Sequence, residues 1–179
     1  MSQAGDENLA RQAARGDRAA FAALVERHYD RIYRLAWRWT GSRDVAEDVA
    51  QEVCVKLAGA IGNFRGDSAF STWVYRIAFT TATDHLRASQ RLRAVEPSQM
   101  MSLVDGSAAD DPESEVMGAE LWQAVRALPG QQRDAVLLVY GEDMSHAEAA
   151  AVMGCTEKTV SWHLHEARKR LKAQLEAAE

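Results

Sequence analysis

The last third of the chain has apolar residues at the period of a helix. They recur at intervals of four, three and four, at Val160, Leu164, Ala167 and Leu171, and this spacing places them on one helical face. Upstream, Ser145 and Glu148 have the spacing of a capping box, and Gly154 can take the left-handed conformation that ends a helix. Thr156 can then cap the second helix. The pattern predicts two helices joined by a tight turn.

A helix-turn-helix of this kind is typical of DNA-binding proteins. The second helix ends in a cationic run, because residues 158–172 contain five bases and one acid. Six residues fall outside the apolar stripe and are expected to face outward: Lys158, Ser161, Trp162, His165, Arg168 and Lys169. The alternative is an ordinary amphipathic helix whose cationic face is only solvated. The capped helix before it favours DNA binding.

Three further helices are predicted in the first half of the chain. Residues 18–40 carry an apolar face and are followed by Gly41. Residues 42–61 repeat an apolar residue every four positions, at Val45, Val49, Val53 and Leu57. Residues 69–93 form the third helix, after a short loop at 62–68 that contains two glycines. Strand-like alternation is missing and good helix formers are abundant, so the predicted fold class is all-α.

A linker is predicted at residues 94–112, which include two prolines and a glycine but no helical stripe. It separates two small helical domains, at 1–93 and 113–179. Residues 94–120 hold seven acids and no base, whereas residues 1–93 hold 14 bases and 11 acids. The charges are therefore segregated along the chain. Because local fields steer a polyanion, the net charge of −5 does not exclude nucleic acid as a partner.

Several classes of protein are not favoured by the sequence. No apolar run approaches the roughly 20 residues of a membrane span, and the N-terminus lacks a signal-peptide core, so we expect a soluble cytoplasmic protein. Cys54 and Cys155 are too few for a disulfide framework. His163 and His165 lie about 200° apart on a helix and cannot both join Cys155 at one ion. We therefore expect no metal, no cofactor, no small-molecule substrate and no enzymatic activity.

The predicted helix at 42–61 carries a dense acidic face opposite its valine stripe. Its members are Asp44, Glu47, Asp48, Gln51 and Glu52. Plain solvent exposure is one interpretation, and a docking surface for a basic partner is the other. The residues alone leave both open.

The loop at 62–68 and the helix after it combine aromatic and basic residues. Phe64, Phe70, Trp73 and Tyr75 lie near Arg65 and Arg76, and such pairs suit single-stranded nucleic acid, since bases stack on rings while cations contact phosphates. The competing interpretation, which we favour for Trp73, is a core anchor. The loop itself has groups that can close around an extruded base: Phe64, Arg65, Asp67 and Ser68.

Five segments in this order resemble the extracytoplasmic-function (ECF) sigma factors of bacteria, group IV of the sigma-70 family. The segments are AFAALVERHYDRIYRLA at 20–36, DVAEDVAQEV at 44–53, FSTWVYRIAFTTATDHLR at 70–87, LPGQQRDAVLLVYGEDMSHAEAAAVMG at 128–154 and TVSWHLHEARKRL at 159–171. The resemblance covers nearly the whole chain. It implies a transcription initiation factor that binds core RNA polymerase and directs it to promoter DNA.

The resemblance also implies roles for the surfaces described above. The acidic face of residues 44–52 would dock on a coiled coil of the polymerase's largest subunit. The minus-10 element would be melted and held by Asn63, Phe64, Arg65, Asp67 and Ser68, with Arg76, Thr80, Thr83 and Arg87 nearby. In the linker, Asp105, Asp110 and Asp111 would thread the active-site cleft and RNA exit channel in place of nucleic-acid phosphates.

The helix starting near Thr156 would read the minus-35 element. We expect Lys158, Ser161, Trp162 and His165 nearest the bases, and Arg168, Lys169 and Arg170 on phosphates. The chain departs here from the common pattern of the family, which has a basic residue at Ser161, arginine at His163 and often arginine at Glu166. Ser and Glu cannot make the bidentate contact of Arg with guanine, although Glu can accept from cytosine N4. We therefore predict an uncommon minus-35 preference, to which the unusual residues Ser161, Trp162, His163 and Glu166 contribute.

Family behaviour adds a further partner and an alternative function. An anti-sigma factor, often membrane-bound, would hold the protein inactive until a stress or environmental signal arrives. If that anti-sigma factor is membrane-bound, the protein would be held at the inner membrane. The alternative is a sigma-like decoy that sequesters an anti-sigma factor without starting transcription, since fold alone does not separate the two. The basic last helix and the loop favour an active sigma factor.

Overall fold

The computed structural model describes residues 3–95 and 119–176, and every regular element in them is helical. The first stretch contains α1 Gln3–Ala14, α2 Arg18–Thr40, α3 Arg43–Ala60, a 3₁₀ turn Ile61–Asn63, and α4 Phe70–Val95. The second contains α5 Ala119–Arg126, α6 Gly130–Val136, a π-helical turn Leu137–Gly141, α7 His146–Met153 and α8 Glu157–Glu176. No strand occurs in either stretch, so the all-α prediction is confirmed.

The described residues divide into two compact units. Residues 3–37 and 43–91 form the first unit, and residues 38–42, 92–95 and 119–176 belong to the second. Helix α4 continues to Val95, two residues into the predicted linker. The linker residues Asp105, Asp110 and Asp111 lie outside the described residues, so the domain boundaries and the role of these carboxylates stay predictions.

Four helices build the core of the first unit. The apolar faces of α2 and α3 are buried as their spacing predicts, at Leu24, Ile32, Leu35, Val49, Val53 and Leu57. Helix α1 was not predicted from the sequence, because its buried residues are the small Ala10 and Ala13, which give a weak periodic signal. The Asp17 carboxylate accepts from the backbone N–H groups of Ala19 and Ala20 at 2.9 and 3.1 Å and so begins α2.

The second unit packs α5, α6, α7 and α8 around an apolar core. Its buried residues come from every helix and include Trp122, Val125, Leu137, Leu138, Ala149, Val152, Val160 and Leu164. The π-helical turn ends α6, and Asp143 follows it with a left-handed backbone, φ 52°. Asp tolerates this conformation better than most residues do. The chain then turns into α7.

None of the helices in the two described stretches combines the length and the apolarity needed to cross a membrane.

Candidate nucleic-acid and polymerase interfaces

The turn between α7 and α8 has the geometry predicted from its residues. The Ser145 hydroxyl accepts from the Glu148 backbone N–H, and the Glu148 carboxylate accepts from the Ser145 N–H at 2.9 Å, which completes a capping box. The Ser145 hydroxyl also donates to the Glu148 carboxylate at 2.7 Å, and this hydrogen bond, followed by the one from the Ser145 backbone N–H, lowers the pKa of Glu148. Gly154 ends α7 with φ 68°, and the Thr156 hydroxyl accepts from the Thr159 N–H at 3.2 Å. The predicted helix-turn-helix is confirmed.

Helix α8 has one buried and one exposed face. Val160, Leu164 and Ala167 are at most 3% exposed. The residues predicted to face outward are exposed, and four of them recur at spacings of four, three and four: Lys158, Trp162, His165 and Lys169. Ser161, Arg168 and Arg170 are exposed beside this stripe, while Glu166 is half-buried. The exposed face of α8 is therefore cationic with an aromatic residue at its centre.

His163, which we grouped with Ser161 and Trp162 as an unusual residue of α8, does not belong to that exposed face. It is 6% exposed, because three residues after Val160 it falls on the edge of the buried stripe. Its Nδ1 has no hydrogen-bond partner among the described residues. Burial lowers the pKa of His163, and the nearby Asp134 carboxylate opposes this shift only in part. The side chain is therefore a neutral component of the core.

Two side chains of α8 are held by residues from outside it. The Ser161 hydroxyl donates to the Glu157 carbonyl at 3.0 Å, so the 3.0 Å contact of its oxygen with His146 Nδ1 requires the histidine to donate. Arg168 donates to the Tyr140 hydroxyl, and its guanidinium lies 5.6 Å from the centre of the Tyr140 ring. Tyr140 was not predicted as a functional residue, because it stands at the end of an apolar run, yet it is 44% exposed.

In the first unit, the aromatic residues around the 62–68 loop pack against one another. The Phe64 ring lies 5.4 Å from Phe70 and 5.3 Å from Trp73, between ring centres, and His28 contacts Phe70 at 5.3 Å. Phe70 and Tyr75 are 3% and 6% exposed, so neither offers a face for a base. Phe64 and Trp73 are half-buried. The favoured interpretation of Trp73 as an anchor fits this packing.

The polar members of the predicted minus-10 set differ in exposure. Asn63, Arg65 and Asp67 are exposed on the loop, where Gly66 takes φ 79°, and Ser68 is half-buried. On α4, Arg76, Thr80 and Arg87 are exposed. Thr83 is 7% exposed, and its hydroxyl donates to the backbone carbonyls of Phe79 and Thr80. Thr83 is therefore too deeply buried to contact DNA.

The acidic face on α3 is largely as predicted. Asp44, Glu47, Asp48 and Gln51 are exposed. Glu52 differs, because Lys56 Nζ and His85 Nε2 lie 2.7 and 2.6 Å from its carboxylate oxygens, and these hydrogen bonds lower the pKa of Glu52. The sequence reading missed Val55, which continues this face and is 72% exposed. The sequence could have indicated Val55, because it is an apolar residue that falls outside the stripe of Val45, Val49, Val53 and Leu57.

The thiols and histidines of the described residues form no reactive centre. Burial raises the pKa of both Cys54 and Cys155, which favours the neutral thiol over the nucleophilic thiolate. No group of three or more His, Cys, Asp or Glu side chains in the described part of the chain is arranged to hold a metal ion.

Comparison with known proteins relates both surfaces to one family. The model of Sigma-70 region 2 matches residues 24–92, and that of Sigma-70 region 4 matches residues 118–171. RNA polymerase sigma-H factor of Pseudomonas aeruginosa is 34% identical, over 98% of this chain and 96% of the relative. ECF RNA polymerase sigma-E factor of Escherichia coli strain K12 is 35% identical, over 94% and 93%. The chain belongs to the extracytoplasmic-function sigma factors.

A solved structure agrees with this assignment. CnrH, solved in complex with the cytosolic domain of CnrY, aligns with this sigma factor at a TM-score of 0.73 and 28% identity, covering 98% of this chain and 99% of CnrH. The region 2 match contains α3, the 62–68 loop and α4 up to residue 92, and the region 4 match contains the helix-turn-helix.

This sigma factor is therefore a transcription initiation factor that binds core RNA polymerase and directs it to promoters. Sigma factors as a class are not enzymes. Its relatives are named as RNA polymerase sigma factors, which favours initiation over the decoy alternative.

Proposed function

We propose that this sigma factor contacts its promoter at two points, with the 62–68 loop and α4 on the minus-10 element and α8 on the minus-35 element. The observation that carries the proposal is the exposed cationic face of α8, opposite the buried Val160, Leu164 and Ala167, in a capped helix-turn-helix. A recognition helix docks with its outer face in the major groove. Arg168, Lys169 and Arg170 hold phosphates there and fix the register of the helix.

The minus-10 contacts come from the exposed polar side chains of the first unit. Asn63, Arg65 and Asp67 are exposed next to a glycine turn, and a short loop of this kind can enclose a base that has left the stack. The loop is anchored to α4 by ring packing, because Phe64 of the loop contacts Phe70, and Phe70 contacts Trp73. Arg76, Thr80 and Arg87 on α4 continue the surface toward upstream DNA.

The polymerase contact uses the acidic face of α3. Asp44, Glu47, Asp48 and Gln51 are exposed and available to a basic partner, and Val55 adds an apolar contact at the end of the same face. Glu52 is less available to a partner than these residues, since Lys56 Nζ and His85 Nε2 already lie 2.7 and 2.6 Å from its carboxylate oxygens. An apolar residue bordered by charges is a common interface arrangement.

Transcription in vitro with core polymerase and the full chain tests the two-point proposal. Arg65→Ala is expected to lower open-complex formation on a fixed promoter, and Glu166→Arg to change minus-35 choice or affinity, because arginine brings a guanine-reading group. Asp143→Asn, which removes a charge from an exposed residue outside α8, is the control for a charge change away from the proposed face. If no tested sequence supports promoter-specific initiation, the proposal is wrong.

We further infer that the protein acts in the cytoplasm and is held inactive by an anti-sigma factor. The support is its family and the structure of CnrH, which was solved with the cytosolic domain of CnrY bound. Purification of the chain from cells with its associated proteins tests this inference. Recovery only with polymerase subunits, both before and after stress, would contradict it.

A further inference from the structure

Trp162 is the large apolar side chain of α8 that core packing leaves outside. It is 57% exposed, whereas Val160, Leu164 and Ala167 of the opposite stripe are at most 3% exposed. Its neighbours on the same face are Lys158, His165 and Lys169, at helical spacings of four, three and four. Tryptophan is enriched at interfaces, because its ring buries a large area while its N–H can still find a partner.

The indole is also held in place before any partner binds. Its ring lies 4.9 Å from the buried His163 ring in an edge contact, so a fixed core side chain supports the exposed one. A side chain that is already ordered loses less conformational entropy when it binds. Trp162 is therefore suited to a contact of defined geometry.

The hydrogen-bonding capacity of Trp162 decides which base it suits. An indole has one N–H donor, no acceptor and a large apolar surface. In the major groove, thymine presents one acceptor, O4, beside its apolar 5-methyl group. Cytosine presents a donor, adenine pairs its acceptor with a donor, and guanine offers two acceptors but nothing apolar. Thymine is the base that matches both properties of the indole.

The neighbouring Ser161 is a weaker candidate for this contact. Its hydroxyl proton is already donated to the Glu157 carbonyl, and its oxygen accepts from His146. For Ser161 to donate to a base, its hydrogen bond to the Glu157 carbonyl would have to break. Of these two neighbours, Trp162 is therefore the better placed to contact a base.

We propose that Trp162 reads one thymine of the minus-35 element by packing its indole against the 5-methyl group. The proposal rests on the proposed function, in which the exposed face of α8 lies in the major groove at this element. It makes Trp162 a specificity-determining residue of this sigma factor.

The test removes the methyl group and nothing else. Holoenzyme made from core polymerase and the full chain first selects a minus-35 sequence from a randomised library. Each thymine of the selected element is then replaced singly by deoxyuridine, and affinity is measured by competition. One replacement is expected to weaken binding about fourfold, the loss that corresponds to one buried methyl group. The Trp162→Ala holoenzyme should show no difference between the two duplexes.

Two further variants separate methyl recognition from general weakening. Trp162→Phe keeps an apolar ring and should retain sensitivity to the methyl group. Arg170→Ala removes a proposed phosphate contact, so it should weaken both duplexes by a common factor and leave their ratio unchanged. Trp162 is exposed, so its replacement should not unfold the helix.

The outcomes distinguish this proposal from the broader one. If the wild type prefers the selected element over a scrambled one, Arg170→Ala weakens both duplexes, and no deoxyuridine matters, only the thymine contact is overturned. Methyl sensitivity that persists in Trp162→Ala overturns it as well. If the wild type binds scrambled and selected elements equally, the minus-35 role of α8 fails, and the thymine contact fails with it.

Discussion

Trp73 and Trp162 each have a basic residue about one helical turn away, Arg76 and Lys158 respectively, yet their surroundings in the two units differ. Trp73 lies within a cluster of rings, 5.3 Å from Phe64 and 5.7 Å from Phe70. Trp162 contacts one buried ring and is otherwise open to solvent. An aromatic residue near other aromatics finds partners within the protein, whereas one placed opposite a complete apolar stripe does not. The proposed minus-10 surface is therefore supported by packed rings, whereas the proposed minus-35 surface carries an exposed aromatic residue.

The largest expected effect is the loss of the ring cluster through Phe70→Ala. Phe70 is 3% exposed and touches three rings, so its truncation should cost about 3–5 kcal/mol in the unfolding free energy of the first unit. Chemical denaturation measures the loss. Phe70→Leu, which keeps most of the apolar volume, should cost about 1.5 kcal/mol or less. A loss for Phe70→Leu as large as that for Phe70→Ala would mean that the cluster depends on the aromatic ring itself and not on apolar volume alone.

The same substitution at the two tryptophans tests the comparison directly. Trp73→Ala should cost about 2–3 kcal/mol, from two aromatic contacts and the lost burial. Trp162→Ala should change the unfolding free energy by about 0.5 kcal/mol or less, because the side chain is exposed. Chemical denaturation of both variants in parallel measures the two losses of unfolding free energy and shows whether only Trp73 contributes to packing. A larger loss at Trp162 would show that its contact with His163 is structural.

The proposed minus-35 surface depends instead on the helix-turn-helix, whose first helix, α7, is capped by Ser145. Ser145→Ala removes the capping hydroxyl of α7 and should cost about 1 kcal/mol in the second unit. Ser145→Thr retains an oxygen at the same position and is the matched control. Thermal unfolding followed by circular dichroism measures both. A loss as large as that of Phe70→Ala would mean that the turn supports much more than one helix end.

The smallest expected effect is a loss of stability at mildly acidic pH. Burial lowers the pKa of His28 and His163 from about 6.5, so each is neutral when folded and binds a proton more readily when unfolded. Stability is therefore level above about pH 6.5 and falls as the pH decreases below it. Asp6 lies 3.0 Å from His28 and opposes the shift there through attraction and a hydrogen bond. His163→Leu should flatten the pH dependence of the second unit, measured as thermal midpoints across pH 5.5 to about 7.5.

The helical periods were enough to locate α2, α3, α4 and the helix-turn-helix. The capping box at Ser145 and Glu148 and the helix end at Gly154 were also predictable, since both depend on neighbours a few residues apart. Helix α1 was missed because alanines carry little hydrophobic signal. The linker and its carboxylates stay predictions.

Within the candidate sites, the sequence indicated the helical faces but not every member. His163 and Thr83 were placed on binding surfaces, yet the structure buries both. Each lies at the edge of a buried stripe, where a shift of one residue in packing decides between core and solvent. Val55 and Tyr140 are exposed although their residue types favour burial.

The sequence by itself determined α2, α3, α4, the helix-turn-helix and its caps, the cationic and acidic faces and the family, because these depend on residue type and short-range spacing. Tertiary structure alone decided which aromatic rings pack together, that His85 reaches the Glu52 carboxylate, and that Trp162 stays outside while His163 is buried. These outcomes depend on side chains that are distant in the chain or compete for the same core space. Burial and pairing of that kind have no signature in local spacing.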